Sequence, residues 1–282
     1  MHIGILTHHW VYNFGANLQV LAAQTYLEGL GHQVTILDYQ PEGIKEALYS
    51  GVPGIQIEEH ERFRCTFLNQ SPRCDSDADL VSFCNEQEFD VILTGSDAVF
   101  RLERKLSRED QRFPNPFWLT WTTQLTSNPV VSALAASSMG TPFFALPLSV
   151  QRNIGQAIRN FDHISVRDKW TQWMFWWLSK GQRKASLCPD PVHILNDVFV
   201  LPNEFTLRPK EHHKQYILIS IFRRLLSNKW IEGFVEIAHQ HGLEVYSLPQ
   251  PELEMNIPVD RIIKAPLSPF EWFAWIQNAA GY

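Results

Sequence analysis

The chain has 282 residues, 45% of them hydrophobic, and a formal net charge of −6. That length suits two domains, and the acidic balance argues against a nucleic-acid partner, which needs basic surface. Its four cysteines form no CxxC pair and their spacing does not suit a zinc site, so Cys65, Cys74, Cys84 and Cys188 read as reduced thiols of a cytosolic protein, with no signal peptide ahead of the first strand.

Residues 2–7 are apolar and β-branched enough for a buried strand. Trp10 to Gly15 read as a loop, in which Asn13 and Gly15 suit unusual backbone angles. Leu18, Leu21, Ala22, Tyr26 and Leu27 then recur at helical spacing, and Gly31 stands where a left-handed C-cap belongs. Val34, Ile36 and Leu37 make a second strand, ended by Asp38. Strand, helix and strand this close form a βαβ unit, whose ligands gather at the carboxyl ends of the strands. His8, His9, Asn13, Gly15 and Asp38 therefore fall on the functional rim. The three-glycine dinucleotide fingerprint is absent, since only Gly15 is present, so NAD binding at this loop is not expected. Asp38 is expected to be a simple strand-end acid.

Residues 41–88 read as an irregular excursion with one helical stretch at 58–68. Phe89–Leu93 is a short buried strand followed by Thr94-Gly95-Ser96-Asp97. Small residues there let a ligand approach the backbone, and Asp97 can cap a helix or bind a hydroxyl. Residues 113–151 carry no Asp, Glu, Lys or Arg, which is long enough for a membrane span. Five prolines interrupt them, and a spanning helix needs an unbroken hydrogen-bonded backbone, so a loop, a buried strand and a second loop are expected. That strand is Val130–Ala135, before Ala136-Ser137-Ser138-Met139-Gly140. Helical spacing covers 149–160, and a strand at Phe161–Val166 ends in Arg167-Asp168. Trp170, Trp173, Trp176 and Trp177 follow in one helical segment, with domain packing their expected use ahead of a membrane-surface patch or a sugar-stacking platform. Ser186–Cys188 is a short strand before Pro189-Asp190-Pro191. Alternating strands and helices with polar strand ends describe an α/β doubly wound parallel sheet.

The polar stretch that follows divides the chain into a Rossmann-like domain at 1–200, a linker at 201–215 and a partial second domain at 216–282. Tyr216–Phe222 and Leu243–Leu248 read as strands, and Trp230–His241 and Pro269–Ala279 as helices. Two or three strands leave that sheet unfinished, with an exposed edge, and suggest a C-terminal truncation.

Several motifs, in order, resemble the polysaccharide pyruvyl transferase family. Asn13-Phe14-Gly15 with Leu18-Gln19 and Ala22 is similar to its opening N-Y-G…L-Q…A-L, and Val34–Tyr39 to its next strand and D-Y. Gly95-Ser96-Asp97 resembles G-S-D-x-x-W, with Phe100 for the Trp. Ala135–Gly140 resembles A-A-S-F-G, Ile164–Asp168 resembles I-S-V-R-E with Asp for Glu, and Asp190-Pro191 resembles the D-P closing the first domain. Ser268-Pro269-Phe270-Glu271-Trp272 resembles the P-x-E-F before the last helix. The resemblance implies a GT-B-like fold of two Rossmann-like domains. It implies transfer of the enolpyruvyl group of phosphoenolpyruvate to a sugar, forming a pyruvate ketal. It also implies a histidine general acid just past the P-x-E-F helix, beyond the end of this chain.

Such a donor brings a carboxylate and a phosphate, which call for cations or helix N-termini, while proton transfer calls for an acid and a base. Arg167 and the pair Arg223-Arg224 are the strand-end cations, and Asp97, Asp190, His8 and His9 the candidate acids and bases. We assign Asp97 and Arg167 as catalytic, and Asn13, Gly15, Gly95, Ser96, Ser137 and Arg223 as substrate-binding. Ser137 and Ser138 lack a GxSxG context and equally suit backbone satisfaction. No metal or cofactor is expected besides phosphoenolpyruvate as donor. The acceptor is a sugar or a lipid-linked oligosaccharide, and the location cytoplasmic, with peripheral contact at the inner face of the plasma membrane left open. The alternatives are a GT-B glycosyltransferase using a nucleotide sugar and a non-catalytic sugar- or nucleotide-binding relative.

Overall fold

The computed structural model describes residues 1–41, 43–44, 49–103, 111–202, 215–220, 227–248 and 257–281. The chain divides into two compact units. The first comprises Met1–Val11, Gly15–Ala47 and Arg64–Phe199; the second comprises Tyr12–Phe14, Leu48–Phe63 and Val200–Tyr282.

In the first unit, strands β1 (His2–Leu6), β2 (Gln33–Ile36), β3 (Val91–Thr94), β4 (Val130–Ala136), β5 (His163–Val166) and β6 (Ser186–Leu187) form one sheet. Its order is β2-β1-β3-β4-β5-β6, and every pairing is parallel. Ile3, Ile5, Leu6, Val34, Ile36 and Ile92 are buried. A parallel sheet covered on both faces needs such apolar runs rather than strict alternation. The strand order reverses between β1 and β3, the switch point where doubly wound sheets bind ligands.

Helix α1 (Phe14–Gly29) links β1 to β2, and Gly31 (φ +83°) follows it in the left-handed conformation. The helix begins one residue before Gly15, so Gly15 lies in its first turn without a positive φ, and the loop ends at Asn13. Helix α2 (Gly54–Phe67) covers all but the last residue of the helical stretch expected at 58–68 and begins four residues before it. Residues 41–88 hold more order than their composition suggests, because helix α3 (Asp77–Gln87) is also present. Its signal was available: Ser76 accepts a hydrogen bond from the Asp79 backbone N–H, and the Asp79 carboxylate reaches back to the Ser76 hydroxyl at 2.8 Å.

The charge-free stretch contains short 3₁₀ turns at Pro116–Trp118 and Thr120–Gln124, then β4, then another turn at Phe143–Ala145. No helix among the described residues is long and apolar enough to cross a membrane. The turns feed Phe117 and Trp118 into the core, where Trp118 meets Phe100 at 4.5 Å and Phe100 meets Phe175 at 5.0 Å between ring centres. Phe100, standing where the family pattern has Trp, is therefore a core residue. Helices α4 (Leu148–Arg159) and α5 (Lys169–Leu178) flank β5. They approach closely at Gly155, where an added Cβ would lie 2.2 Å from the Leu178 carbonyl oxygen.

In the second unit, β7 (Tyr216–Ile219), β8 (Glu244–Ser247) and β9 (Arg261–Ile262) form a parallel sheet in that order. Helix α6 (Asn228–Gln240) joins β7 to β8, and α7 (Pro269–Gln277) follows β9. The outer edge of β7 is paired: the Ala280 N–H donates to the Tyr216 carbonyl and the Leu218 N–H to the Gly281 carbonyl. Successive strand residues face opposite sides. Tyr216, Leu218 and Tyr246 join one apolar cluster, Ile219 and Val245 the other. Two N-terminal segments belong here for visible reasons. Phe14 stacks on Trp272 at 5.4 Å, and the Gln56 amide exchanges two hydrogen bonds with the Leu267 backbone, at 2.7 and 2.9 Å. Ser268 and Glu271 form a reciprocal capping box at the start of α7, which gives the P-x-E-F-like motif a structural role.

Candidate functional site

Parallel strands deliver their carboxyl ends to one side, and in the first unit β1, β3, β4, β5 and β6 bring polar residues together. After β1, the Thr7 hydroxyl donates to the Ser96 carbonyl at 3.0 Å. From α1, Gln19 donates to the Thr7 hydroxyl at 3.2 Å and accepts from the Ser96 hydroxyl at 2.8 Å. These side chains are buried, so their mutual pairing is what makes their burial tolerable. Gln19, whose place in the sequence motif indicates no role by itself, ties α1 to the strand ends at the switch point.

The loop after β3 is close-packed. Gly95 has φ +107°, and a Cβ there would meet the Leu134 carbonyl oxygen at 2.4 Å. The Gly95–Ser96 peptide is cis. Asp97 follows with φ +74°, bridges to Ala136, and caps its own turn by accepting from the Ala98 N–H at 2.7 Å. Ser96 is fully buried, whereas the Asp97 side chain keeps 25% of its surface exposed.

Beside it, β4 carries a bulge. Two residues lie between Ala133 and Ala136 where one lies between their partners Ile164 and Val166, and Ala135 takes φ +46°. The Ser165 hydroxyl fills the gap, accepting from the Ala135 N–H and donating to the Ala133 carbonyl. The extra residue re-aims the strand end. The Ser137 N–H then donates to the Asp97 carbonyl, and the Arg167 N–H to the Ala136 carbonyl.

Arg167 is the hub. Its Nη1 donates to Asp190 Oδ2 at 2.7 Å, and its Nη2 stands 3.5 Å from Asp97 Oδ1. Asp190 is also 3.2 Å from the Ser96 hydroxyl, and its other oxygen accepts from the Val192 N–H. The neighbouring Asp168 is not the partner of Arg167. It is the N-cap of α5, accepting from the Thr171 N–H at 2.7 Å, and it accepts the Ser137 hydroxyl at 2.7 Å. Ser137, placed among the substrate-binding residues from sequence, thus gives its hydroxyl hydrogen to Asp168 and accepts from the Met139 N–H, with only 3% of its surface exposed.

At the same carboxyl rim, toward the β2 edge of the sheet, His9 and Asp38 form a buried pair, Nε2 to Oδ1, at 2.6 Å. Burial alone would raise the Asp38 carboxyl; the hydrogen bond and charge of His9, the Gln40 amide and the Arg64 charge outweigh it and hold it below its usual value. Asp38 is therefore more than a strand-end acid. Asn17 fixes the intervening loop by donating to the His9 carbonyl at 2.9 Å. Gly15 is half-buried in the first unit, and Asn13 is exposed and belongs to the second. Arg223, with Arg224, lies outside the described residues. The cysteines are unpaired, and burial pushes the Cys74 thiol up to about 11 and the Cys84 thiol up to about 12. Among the described residues, no group of three His, Cys, Asp or Glu side chains is arranged to hold a metal ion.

The unit thus presents a partly exposed carboxylate and guanidinium, Asp97 and Arg167, on a rigid buried base. Such a pair can accept a hydroxyl hydrogen and donate to an anion within one site.

No curated protein gives a significant sequence match. Among solved structures, the chain is similar to a putative UDP-N-acetylglucosamine 2-epimerase from Listeria monocytogenes, with a TM-score of 0.52 at 12% identity over 99% of this chain and 72% of that one. It is similar to the UDP-GlcNAc 2-epimerase from Methanocaldococcus jannaschii, with a TM-score of 0.52 at 12% identity over 99% and 77%. The S. aureus MnaA–UDP complex gives a TM-score of 0.51 at 12% identity over 99% and 72%. At such identity the likeness establishes the fold, which is GT-B-like, with parallel sheets of six and three strands. The family model for polysaccharide pyruvyl transferase matches residues 13–282, nearly the whole chain, and the chain belongs to that family.

Proposed function

We propose that this protein transfers the enolpyruvyl group of phosphoenolpyruvate to two hydroxyls of a sugar, giving a pyruvate ketal and inorganic phosphate. One sugar oxygen bonds to the donor's C2 while C3 takes up a proton and becomes a methyl group. The C2–O bond to phosphate breaks as the second sugar oxygen bonds to C2. Of the two hydroxyl protons, one is balanced by the methyl group and the other leaves with phosphate.

The observation that carries the reading is Arg167 held between Asp190 and Asp97 at the strand ends, in a chain of this family. Asp97 is the proton acceptor for a sugar hydroxyl. Arg167, fixed by Asp190, offers its remaining N–H groups to the donor's carboxylate or phosphate. Two carboxylates against one guanidinium leave the cluster negative, so the phosphate needs further cations. Gly95 shapes the loop that presents Asp97, and the Ser96 hydroxyl braces Gln19 and Asp190 beneath it. The reaction belongs in the cytoplasm, where unpaired thiols such as these persist.

The test supplies phosphoenolpyruvate with free sugars, nucleotide sugars and lipid-linked oligosaccharides, and follows phosphate release and the ketal methyl signal by NMR. Phosphate release that depends on an acceptor, with a new methyl signal, is expected. Release of a nucleoside diphosphate from a nucleotide sugar, without use of phosphoenolpyruvate, would instead favour glycosyl transfer. That second reading draws on the fold shared with UDP-sugar enzymes.

A further inference from the structure

Packing does not absorb the tryptophans of α5. Trp173, Trp176 and Trp177 are 43%, 48% and 50% exposed, although tryptophan is normally well buried. Phe144 and Leu148, at 58% and 68%, extend the same surface. The rings are continuous: Phe144 meets Trp170 at 6.2 Å, Trp170 meets Trp173 at 5.4 Å, and Trp173 meets Trp177 at 6.2 Å. Trp176 and Trp177 then line a shallow groove of about 470 Å³ with Leu148, Arg152 and Lys180.

The charge around them is opposite to that of the molecule. From Ala145 to Cys188 the chain carries seven Lys and Arg against two Asp, while the chain as a whole is at −6. Arg152 and Lys180, both exposed, stand in the groove itself, and among the described residues no acidic side chain lines it. We infer that this face of α4 and α5 docks on an anionic phospholipid surface, with the indoles at the headgroup level and the cations on the lipid charges. Indole suits that depth because it is apolar in body and carries one polar N–H.

Two other occupants fit less well. An isologous dimer through this patch would set its cations against their own copies. A sugar platform needs an open ring face with carboxylates or amides beside it, but the Trp170, Trp173 and Trp177 rings meet edge to face, at 75° and 63°. The inference does not rest on the transferase chemistry.

Vesicle sedimentation of the full chain tests it, using phosphatidylcholine alone and an equal mixture with phosphatidylglycerol. Binding to the mixed vesicles, little binding to phosphatidylcholine, and weakening with added salt are expected. Arg152→Glu with Lys180→Glu should reduce binding by about fivefold or more for each cation removed. Trp176→Ser with Trp177→Ser should abolish it, with the melting temperature kept because both side chains are exposed. No binding to the mixed vesicles, or binding that survives both double variants, overturns the inference. So does a lipid-free dimer that the tryptophan variant converts to monomer, or tryptophan quenching by an oligosaccharide without vesicle binding. Transferase activity in detergent-free solution should be the same in both variants, so failure here is separable from failure of the proposed reaction.

Discussion

Two neighbouring strand ends of the first unit look alike in sequence and differ in what their polar groups have left to offer. After β3 come Gly95, Ser96 and Asp97; after β4 come Ser137, Ser138 and Met139. At the first, among the described residues, the Asp97 carboxylate is spent on its own turn and a distant contact with Arg167. At the second, Ser137 is taken by Asp168 and Met139, and the Ser138 hydroxyl meets Thr171 at 2.9 Å with no exposed surface. Small polar residues at a strand end therefore mark the place where ligands bind without saying which residues bind them. The β4 end is closed on itself, and the β3 end keeps a partly exposed carboxylate.

The sharpest way to break the comparison is to remove the backbone that both ends share. Gly95→Ala places a methyl 2.4 Å from the Leu134 carbonyl oxygen at a φ that L residues rarely adopt. Strain and overpacking together should cost about 4 kcal/mol or more. The check is chemical unfolding, where the expected outcome is a large drop in midpoint or no folded protein. A variant as stable as the parent would mean that the β3 and β4 ends are not in this contact.

Asp97→Asn probes the open end. Asn tolerates a left-handed backbone and can still accept from the Ala98 N–H, so stability should hold. If Asp97 takes a proton from the acceptor, kcat should fall by about a hundredfold or more. Asp168→Ala is the counterpart at the closed end. It removes the N-cap of α5 and the partner of Ser137, and should lower stability by about 1–2 kcal/mol while leaving the kinetics of the folded fraction unchanged. Reversed outcomes for the pair would exchange the roles of the two ends.

Arg167→Lys lies between the extremes. Lysine keeps the charge but cannot serve Asp190, Asp97 and a donor anion with a planar fork. Loss of one charge-assisted hydrogen bond should weaken phosphoenolpyruvate use by about 1.5–3 kcal/mol, read in kcat/KM, with the acceptor KM nearly unchanged. A lower melting temperature with parental kinetics would make Arg167 a brace for Asp190 and nothing more.

The strands and most helices of the first unit were legible because each is a short apolar run punctuated by Gly, Pro or a polar cap. Helix α3 was missed despite its Ser76–Asp79 cap, since charges and cysteines masked a weak apolar face. The tryptophan helix was located, but not its exposed side, because three rings at helical spacing read alike whether a core or solvent lies opposite them. Arg167 was legible as a strand-end cation, but its partners were not. Asp97 and Asp190 lie 70 and 23 residues away in the chain, and Asp97 bridges to Ala136 at the bulged end of β4. No sequence signal marks that bulge, since Ala135 adopts a positive φ that alanine does not advertise.

Ser137→Ala gives the smallest effect and the finest cut. The sequence places Ser137 among substrate-binding residues, at the carboxyl end of β4 where such a residue belongs. Its hydroxyl, though, has one hydrogen, and Asp168 Oδ2 holds it at 2.7 Å, while a lone pair accepts the Met139 N–H at 3.0 Å. Met139 has φ +48°, so that second bond supports a turn that a side-chain-bearing residue would otherwise leave. Removing the hydroxyl should cost about 1 kcal/mol of stability, because the Met139 N–H and one Asp168 oxygen each lose a partner. The same loss should be nearly absent in an Asp168→Ala background if the Ser137–Asp168 bond carries it, which a double-mutant cycle on unfolding free energies reads directly. KM for donor and acceptor should stay at the parental values. A raised KM with unchanged stability would show that the hydroxyl turns from Asp168 to the substrate on binding, and would place the β4 end in the opening beside Asp97.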